Sequence, residues 1–241
     1  MIKHISKFIL QKLLGFDRYL FVFSIFTISR FRLFKYDQEF DYFIKMIPKN
    51  GNILDIGSNI GITAVPLAKR VSAGKLFCFE PIPRHIKTLK KITKFYHLSN
   101  TTIFETALGE TNGELTMVMP VIHQVKYQGY SQVVEKESDR IKGDLFTVPV
   151  IRLDDLNKSN ELPQINAIKI DVENFEYRVL KGAEKLLMRD KPVIYCELWD
   201  NEKRLLTINY LVKNLGYQVR IFEKNKLVEY KGQQTFHFYF I

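Results

Sequence analysis

The stretch Ile53-Leu54-Asp55-Ile56-Gly57-Ser58-Asn59-Ile60-Gly61 decides the fold of this chain. Its first four residues are typical of a short buried strand. Glycines at 57 and 61 allow the backbone to turn sharply and to approach a ligand closely. The following residues, as far as Arg70, have a helical pattern. A strand, a glycine-rich turn and a helix in this order predict the first unit of a parallel α/β sheet.

Short apolar runs alternate with helical patterns from Gly51 onward, which predicts an open, doubly wound α/β sheet of mostly parallel strands. After the first strand, the expected strands are Leu76 to Phe79, Thr102 to Glu105, Ala167 to Ile170 and Val193 to Cys196. Two alternating runs, Tyr217 to Phe222 and Phe236 to Phe240, are joined by a charged segment and predict a final β-hairpin.

The chain has 241 residues, which is enough for one large α/β core. We expect a helical N-terminal extension at residues 1–50 and one α/β domain at residues 51–241. Within that domain the regular alternation breaks between Gly109 and Arg152, with β-like pieces at Leu115 to Met119 and Leu145 to Val150 around a polar centre. Long irregular segments in compact domains are usually functional or disordered. Residues 109–152 are therefore predicted to be an insertion that covers the substrate.

The charge balance is strongly basic, with 36 Lys+Arg against 26 Asp+Glu and a formal net charge of +10. This balance favours an anionic neighbour such as nucleic acid, a membrane face or an acidic substrate, although a solvated basic surface explains it equally well. The two cysteines, Cys78 and Cys196, lie in apolar runs without metal-ligand spacing and are interpreted as core residues. Without a disulfide framework, the cytoplasm is the expected compartment.

An apolar run from Tyr19 to Ser29 lies between Arg18 and Arg30. It is about half the ~20 residues that a membrane-spanning helix needs, so we do not expect it to span. Together with the lysines before it, this segment could make peripheral contact with the inner membrane face. The alternative is that the first thirty residues form helices that cap the open side of the domain.

The glycine-rich turn is a candidate cofactor site. Its spacing is G-x-x-x-G, unlike the G-x-G-x-x-G of pyrophosphate binders, and Asp55 immediately precedes it. A carboxylate there would repel a diphosphate and attract the sulfonium and ammonium charges of S-adenosylmethionine, which favours that cofactor over a nicotinamide dinucleotide. The alternative is a tight structural turn in which Ser58 or Asn59 caps the helix.

Further candidates follow the second and third strands. Glu80 ends the second strand, 23 residues beyond Gly57, where a carboxylate can accept hydrogen bonds from ribose hydroxyls; Pro81 follows it. The turn that contains Glu105 and Ala107 could frame an adenine ring. For Glu80 the alternative is an acid that stabilises the start of the next helix.

Acidic residues also follow the fourth and fifth strands. Asp171 and Glu173 lie on the same side of the chain near the switch point, where they could hold an ammonium group, orient a hydroxyl or act as general base. Glu197 ends the fifth strand, and His123 is the histidine within the insertion, a minor candidate base. A divalent cation could instead lower the pKa of an acceptor hydroxyl, but no metal-ligand spacing supports one.

The ordered motifs resemble those of the FkbM family of S-adenosylmethionine-dependent methyltransferases. They are Ile53 to Gly61, Phe79-Glu80-Pro81, Ala107-Leu108-Gly109, Leu153-Asp154-Asp155-Leu156, Ile168 to Glu176 and Leu180-Lys181-Gly182-Ala183. The resemblance extends from about Ile53 to Glu197 and implies a seven-stranded, Rossmann-like class I methyltransferase fold.

The same resemblance implies methyl transfer to a hydroxyl of a sugar, a glycan or another small natural product. It places the methionine part at Asp55, Gly57, Asn59 and Gly61, the ribose at Glu80, and the reaction centre at Asp171 and Glu173. Asn174 stands where the family usually has glycine, and asparagine also tolerates positive φ.

Other functions stay open on the sequence alone. An RNA methyltransferase would fit the basic charge, but no Asn-Pro-Pro-aromatic motif or appended RNA-binding module is present, so nucleic acid is not the expected partner. A nicotinamide-dependent reductase and a non-catalytic relative of the fold in surface-glycan biosynthesis are the remaining alternatives. A surface-glycan or lipid-linked sugar is the preferred acceptor.

Overall fold

The computed structural model describes residues 2–34, 37–136, 141–158 and 162–241. The helices are α1 (Ile2–Leu14), α2 (Phe16–Phe34), α3 (Gln38–Met46), α4 (Ala64–Arg70), α5 (Pro83–Phe95), α6 (Leu153–Lys158), α7 (Glu176–Lys181), α8 (Glu184–Asp190) and α9 (Glu202–Asn209). The strands are β1 (Ile53–Ile56), β2 (Leu76–Phe79), β3 (Thr101–Phe104), β4 (Ala107–Leu108), β5 (Gly113–Ile122), β6 (Val125–Lys126), β7 (Gln132–Val133), β8 (Gly143–Ile151), β9 (Ala167–Ile170), β10 (Val193–Glu197), β11 (Val219–Glu223), β12 (Lys226–Glu229) and β13 (His237–Phe240).

The main sheet has the strand order β12-β11-β13-β10-β9-β1-β2-β3. The five strands from β10 to β3 are parallel, which confirms the α/β fold. The chain runs outward from β1 to β3 and then returns on the other side of β1 with β9. The switch point therefore lies between β1 and β9, and ligands bind at the carboxyl ends of the strands at such a point.

Alternating side chains of these strands enter two different hydrophobic clusters. Leu54 and Ile56 of β1 pack in one cluster with α7 and α8, whereas Ile53 packs in the other with α3 and α4. A sheet covered on both faces requires apolar residues on both sides of each strand. The two free thiols, Cys78 and Cys196, are buried in these clusters, as predicted.

The carboxyl-terminal part differs from the sequence prediction. The two expected runs do pair antiparallel, as β11 and β13, but Lys226–Glu229 of the charged segment forms the additional edge strand β12. The predicted count of seven strands is wrong, since the main sheet has eight. The cause is the two-residue turn Lys224-Asn225, where both residues have positive φ, 50° and 66°. Such a turn joins the two strands of a tight hairpin, and Lys-Asn is not a common signal for it.

The described part of the segment 109–152 contributes most of a second sheet, and the two predicted β-like pieces lie in its long strands β5 and β8. The long strands β5 and β8 pair antiparallel, and β4, β6 and β7 extend this pair. A short 3₁₀ turn, Gln128–Tyr130, lies between β6 and β7. Residues 137–140 of the predicted insertion lie outside the described residues.

Three of the motifs that carried the family resemblance contact one another, those that contain Gly109, Asp154 and Gly182. Helices α7 and α8 are separated at Gly182, where a Cβ atom would lie 1.9 Å from the carbonyl oxygen of Gly109. The buried carboxylate of Asp154 then accepts hydrogen bonds from the backbone N–H groups of Lys185 and Leu186, both at 3.0 Å. Asp154 therefore stabilises the start of α8.

Helices α1 and α2 pack beside the glycine-rich turn. Tyr19 and Leu20 are buried against Ile60, and the hydroxyl of Ser24 donates a hydrogen bond of 3.0 Å to the carbonyl oxygen of Ile60. Helix α2 also packs against α5. In the described ranges, none of the helices combines the length and the apolar character that crossing a bilayer requires.

Candidate active site

A cavity of about 460 Å³ opens at the carboxyl ends of β1, β2, β9 and β10, between the main sheet and the second sheet. Cavities of this size hold small ligands and cofactors. The predicted site residues that line it are Gly57, Ser58, Asn59, Glu80, Pro81, Ala107, Asp171, Glu173 and Glu197. The structure thus brings together in one cavity residues that lie far apart in the sequence.

The glycine-rich turn is held tightly against β2 and β9. The N–H of Gly57 donates a hydrogen bond of 3.0 Å to the carbonyl oxygen of Phe79. Gly57 has φ +76°, and a Cβ atom there would lie 1.9 Å from the carbonyl oxygen of Asp171. Positive φ and this close approach both require glycine, so the turn can pass between neighbouring strands and expose its backbone to the cavity.

Glu80 is fixed at the cavity wall by the backbone. Its Oε2 accepts a hydrogen bond of 2.9 Å from the N–H of Asn59, and its Oε1 accepts one of 2.9 Å from the N–H of Ile82. Nδ1 of His85 lies 3.2 Å from the same Oε1. The carboxylate therefore has one orientation, which ties the glycine-rich turn to the end of β2.

Several buried polar atoms at this end of the cavity have no hydrogen-bond partner in the part of the chain that the structure describes. They are Asn59 Oδ1, Gln128 Oε1 and His85 Nε2. The side-chain amide of Asn59 also donates a hydrogen bond of 3.1 Å to the carbonyl oxygen of Gln128, which joins the glycine-rich turn to the second sheet. Buried polar groups are usually satisfied, so this end of the cavity suits a polar ligand.

Asp55, a predicted cofactor-binding residue, does not line the cavity directly. It is completely buried, and Lys169 of β9 lies between it and the cavity, with Nζ 3.4 Å from Asp55 Oδ1 and 3.5 Å from Asp171 Oδ2. Nζ also donates a hydrogen bond of 2.9 Å to the carbonyl oxygen of Gly57. The negative charge of Asp55 is therefore compensated by a lysine, and the electrostatic argument from Asp55 alone does not hold.

Burial shapes the protonation of this pair. Burial raises the pKa of Asp55 against the opposing effects of Lys169 and Thr63. Burial alone would lower the pKa of Lys169, but the carboxylates of Asp171 and Asp55 outweigh it and raise that pKa. Lys169 is therefore a stable cation between two acids. The sequence contained a signal for it, since a lysine in the middle of a short apolar strand needs a buried partner.

Three acidic residues also line the cavity, Asp171, Glu173 and Glu197. Burial raises the pKa of Glu173 to about 9, with further contributions from the charges of Asp171 and Glu197. Glu173 also has φ +53°, a conformation that is rare for a residue with a side chain. A strained backbone and a strongly shifted pKa together are typical of functional residues.

Glu197 is connected to helix α3 through a histidine. Nε2 of His237 lies 3.9 Å from Glu197 Oε2, and its Nδ1 lies 2.7 Å from Glu39 Oε2. Burial raises the pKa of Glu197, and the neighbouring charge of Asp171 raises it further. The hydrogen bond and charge of Glu39 raise the pKa of His237 against the effect of burial.

Three other predicted site residues lie outside the cavity lining. His123 is in the β5–β6 turn, with φ +46°, beside His4 of α1 at 5.9 Å between ring centroids. Glu105 points outward and pairs with Lys90 on α5, both half-exposed. Gly61 packs against Leu89 and Ile92 of α5. A strand end or a turn seen in sequence does not define the direction of its side chain, and the functional roles assigned to these three residues stay predictions.

The lining also contains residues that the sequence analysis missed. Lys7 of α1 and Phe23 of α2 line the cavity, together with Tyr127, Gln128 and Tyr130 of the second sheet. No local motif marks them, because they reach the cavity only through the packing of α1, α2 and β6. Within the described residues, no group of three or more His, Cys, Asp or Glu side chains is arranged to hold a metal ion.

An α/β fold with a cavity at the switch point beside a glycine-rich turn is typical of enzymes that bind a nucleotide-containing cofactor. A profile of the family described as Methyltransferase FkbM domain matches residues 55–219. The chain belongs to this family and is a methyltransferase.

Two curated relatives and one solved structure illustrate the similarity. The 2-O-methyltransferase NoeI of Sinorhizobium fredii is 29% identical over 163 residues, which are 62% of this chain and 64% of the relative. The hexuronic acid methyltransferase AglP of Haloferax volcanii is 28% identical over 140 residues, or 55% and 50% of the two chains. A crystal structure of methyltransferase FkbM from Methylobacillus flagellatus KT has a TM-score of 0.55 at 17% identity. That alignment covers all of this chain and 59% of the other, and it supports the fold.

Proposed function

We propose that the chain transfers a methyl group from S-adenosylmethionine to a hydroxyl of a sugar or glycan acceptor. The observation that carries the proposal is the arrangement of one cavity. The tight turn at Gly57, the backbone-anchored Glu80 and the carboxyl-bearing residues Asp171, Glu173 and Glu197 all line it. A polar cofactor and a reacting hydroxyl could therefore occupy the same space.

The residues present fit this cofactor. The unpartnered oxygens of Asn59 and Gln128 and the carboxylate of Glu80 suit its hydroxyl and amino groups. Ala107 and Leu108 offer an apolar wall for an aromatic ring. The carboxyl groups of Asp171, Glu173 and Glu197, which line the same cavity, outnumber the single cation of Lys169 and suit the positive charges of its sulfonium and ammonium groups. This cluster takes over the electrostatic role that the sequence analysis gave to Asp55.

When bound, S-adenosylmethionine supplies a methyl group on a positively charged sulfur. In the transfer, a bond forms between the acceptor oxygen and the methyl carbon, the carbon–sulfur bond breaks with its electron pair staying on sulfur, and the hydroxyl proton goes to a base. The chain must align the two partners, a contribution that can reach about 7–11 kcal/mol. It must also accept the proton, which typically contributes ~10²–10⁴-fold.

We assign the proton acceptor to Glu173. Its carboxyl faces the cavity next to Asp171 and Glu197, and its pKa of about 9 makes it a stronger base than an ordinary carboxylate once it is ionised. A cationic cofactor nearby would favour the ionised form, because an opposite charge lowers the pKa of an acid. The carboxylate of Asp171 pairs with Nζ of Lys169 at 3.5 Å, so we assign proton transfer to Glu173 instead.

Two observations support the proposed acceptor class: the names of the relatives, and the residues of the segment 109–152 that line the cavity. The relatives' names include a 2-O-methyltransferase and a hexuronic acid methyltransferase, which supports an oxygen acceptor on a sugar. Tyr127, Gln128 and Tyr130 of the segment 109–152 line the cavity and offer aromatic faces and polar groups. Sugars are bound by such combinations of flat apolar and hydrogen-bonding groups.

Calorimetric titration of the full chain with S-adenosylmethionine, NAD and NADP tests the cofactor assignment. We expect S-adenosylmethionine to bind and the two dinucleotides not to bind. Glu80→Gln keeps the size of the side chain but loses its charge and should weaken binding, whereas the exposed control Glu114→Gln should not. Binding of a dinucleotide instead, or equal binding by both variants, would refute the cofactor assignment.

A second experiment tests the acceptor. The chain is incubated with S-adenosylmethionine carrying a labelled methyl group and with uronic acids, neutral sugars, lipid-linked glycans and total RNA in turn. Label in a glycan fraction that survives mild alkali, which removes methyl esters, supports an ether-forming O-methyltransferase. Label only in RNA would place the chain in a different functional class, and cofactor binding without transfer to any acceptor would indicate a non-catalytic relative.

A further inference from the structure

Helix α1 directs polar side chains toward the protein. Nδ1 of His4 lies 2.7 Å from the hydroxyl of Tyr127. Gln11 exchanges two hydrogen bonds with the backbone of Lys126, at 2.9 and 3.0 Å. Lys7, between them in the helix, lines the cavity, with Nζ 4.7 Å from the centroid of the Tyr127 ring. Positions 4, 7 and 11 follow the spacing of one helix face, so the inner face of α1 is polar except at Leu14, which packs with Tyr19 and Leu20.

The outer face of α1 is apolar. Ile5 and Ile9 are each 48% exposed, and Leu13 is 75% exposed. Residues four positions apart lie one above another on a helix, so these three side chains form one outward stripe. A helix at the surface of a protein in water normally has the opposite arrangement, with its apolar side inward. The inverted pattern of α1 indicates that its outer face meets an apolar environment.

Helix α2 adds to the apolar surface. Val22 and Phe26 are exposed, the latter by 58%, and one turn away on either side lie the exposed residues Arg18 and Arg30. On α1, Lys12 is exposed at the edge of the apolar stripe. Large apolar side chains bordered by arginine and lysine are characteristic of helices that lie in the interface of an anionic membrane.

We propose that the outer face of α1 and α2 docks on the surface of an anionic lipid bilayer. The apolar side chains Ile5, Ile9, Leu13, Val22 and Phe26 would enter the boundary between headgroups and acyl chains. Lys12, Arg18 and Arg30 would lie at the level of the anionic headgroups. The net charge of +10 attracts the whole chain to such a surface. The helices lie on the membrane and do not cross it, in accord with their length and composition.

Docking would bring the cavity close to the lipid. Lys7 lines the cavity from the inner face of α1, and Ile5 and Ile9 project from the outer face of the same helix. A helix with its side chains is about 10–12 Å thick, which sets the distance between bilayer and cavity. An acceptor carried on a lipid would need to rise only by this distance. The proposal itself does not depend on methyl transfer, because membrane binding is measured without cofactor or acceptor.

Sedimentation of the full chain with lipid vesicles tests the proposal. One set of vesicles holds phosphatidylcholine alone, and a second also holds phosphatidylglycerol. We expect binding to the anionic vesicles that weakens as salt is raised. The double variant Ile9→Glu/Leu13→Glu should bind about a hundredfold or more weakly, since burial of each of the two large apolar side chains is worth at least one tenfold step in affinity.

A matched control uses two exposed leucines on another surface. Leu205 and Leu206 of α9 are 61% and 52% exposed, so Leu205→Glu/Leu206→Glu has the same charge and similar starting exposure and should bind vesicles like the unchanged chain. Thermal melts of both variants check that each is folded. Absence of vesicle binding by the unchanged chain, or equal loss in both double variants, would overturn the proposal. Sedimentation velocity that shows a dimer dissociated only by Ile9→Glu/Leu13→Glu, without vesicle binding, would assign this face to a second copy instead.

Discussion

Asp55 of β1 and Lys169 of β9 are direct partners across the two central strands, with their Cα atoms in register and Lys169 Nζ 3.4 Å from Asp55 Oδ1. Both side chains are buried. The lysine also contacts the carbonyl oxygen of Gly57 and the carboxylate of Asp171. One cation therefore connects the glycine-rich turn, the first strand and Asp171 in the cavity wall. We infer that Lys169 positions the site and does not itself react with substrate.

Replacement of Lys169 by methionine should strongly destabilise the fold. The carboxyl of Asp55 would remain buried without its cation, and removal of one partner of a buried pair typically lowers the free energy of unfolding by about 3–5 kcal/mol. The double variant Asp55→Asn/Lys169→Met removes both charges and should recover a large part of that loss. Urea unfolding of the three proteins measures the effect. A single variant as stable as the unchanged chain would show that the pair has no structural role.

Substitution of Gly57 by alanine should abolish cofactor binding and lower stability by more than the ~1–3 kcal/mol expected from backbone strain alone. The new Cβ atom would lie 1.9 Å from the carbonyl oxygen of Asp171, so β1 and β9 would have to separate. Gly216→Ala is the matched control, because Gly216 has a similar φ of +68° but no atoms within 4 Å of the new Cβ. Calorimetric titration and urea unfolding of both variants distinguish steric conflict from strain. Equal effects in the two variants would contradict the steric explanation.

The strands and turns that form the cavity could be predicted because each combines a run of apolar residues with a glycine or an acidic residue at its end. The first strand and its glycine turn are local features, and so is the acid at the end of β2. The count of strands was not predictable, since β12 depends on a Lys-Asn turn whose first residue, Lys224, has a positive φ that is rare for lysine. The short strands β6 and β7 of the second sheet were not predicted, because they lie in a polar segment whose composition is typical of a loop.

Side-chain direction limited the prediction of the site. Asp55 and Lys169 lie on neighbouring strands, and only their register shows that the two charges meet in the interior. Conversely, Glu105 follows a strand but points to Lys90 at the surface. Lys7 and Tyr127 come from segments 120 residues apart and reach one cavity wall only through tertiary packing. Sequence periodicity carries no information on such long-range contacts.

Asn174 should be replaceable by glycine but not by valine. The residue has φ +71°, as the sequence analysis expected for a position where the family usually has glycine. Glycine adopts this conformation freely, although the hydrogen bond of 2.6 Å between Asn201 Nδ2 and Asn174 Oδ1 would be lost. We expect Asn174→Gly to change the free energy of unfolding by less than about 1 kcal/mol and Asn174→Val to lower it by about 1–3 kcal/mol. Urea unfolding decides, and a valine variant of unchanged stability would rule out a positive φ at this site.

The rate of methyl transfer should rise with pH up to about 9 if Glu173 accepts the proton, because only the ionised carboxylate is a base and its pKa is about 9. Bound cofactor would shift this rising limb of the pH–rate profile to lower pH. Glu173→Gln should lower kcat by ~10²–10⁴-fold and remove the limb. Glu197→Gln is the informative comparison, since Glu197 belongs to the same acidic cluster. If Glu197→Gln removes the limb and Glu173→Gln retains it, the base is Glu197.

Without cofactor, the free energy of unfolding should also depend on the protonation of Glu173, but it should fall as pH rises. Folded Glu173 keeps its proton up to about pH 9, whereas the unfolded carboxyl loses it near 4.5. Between these values the native state binds the additional proton, so this residue makes the free energy of unfolding fall as pH rises. Glu173→Gln removes that contribution and should become more stable than the unchanged chain by about 1–3 kcal/mol at pH ~8, after solvent screening, with little difference at pH ~4. Urea unfolding across this range measures the divergence. Parallel stability curves for the two proteins would show that the carboxyl of Glu173 is ionised in the folded chain at neutral pH.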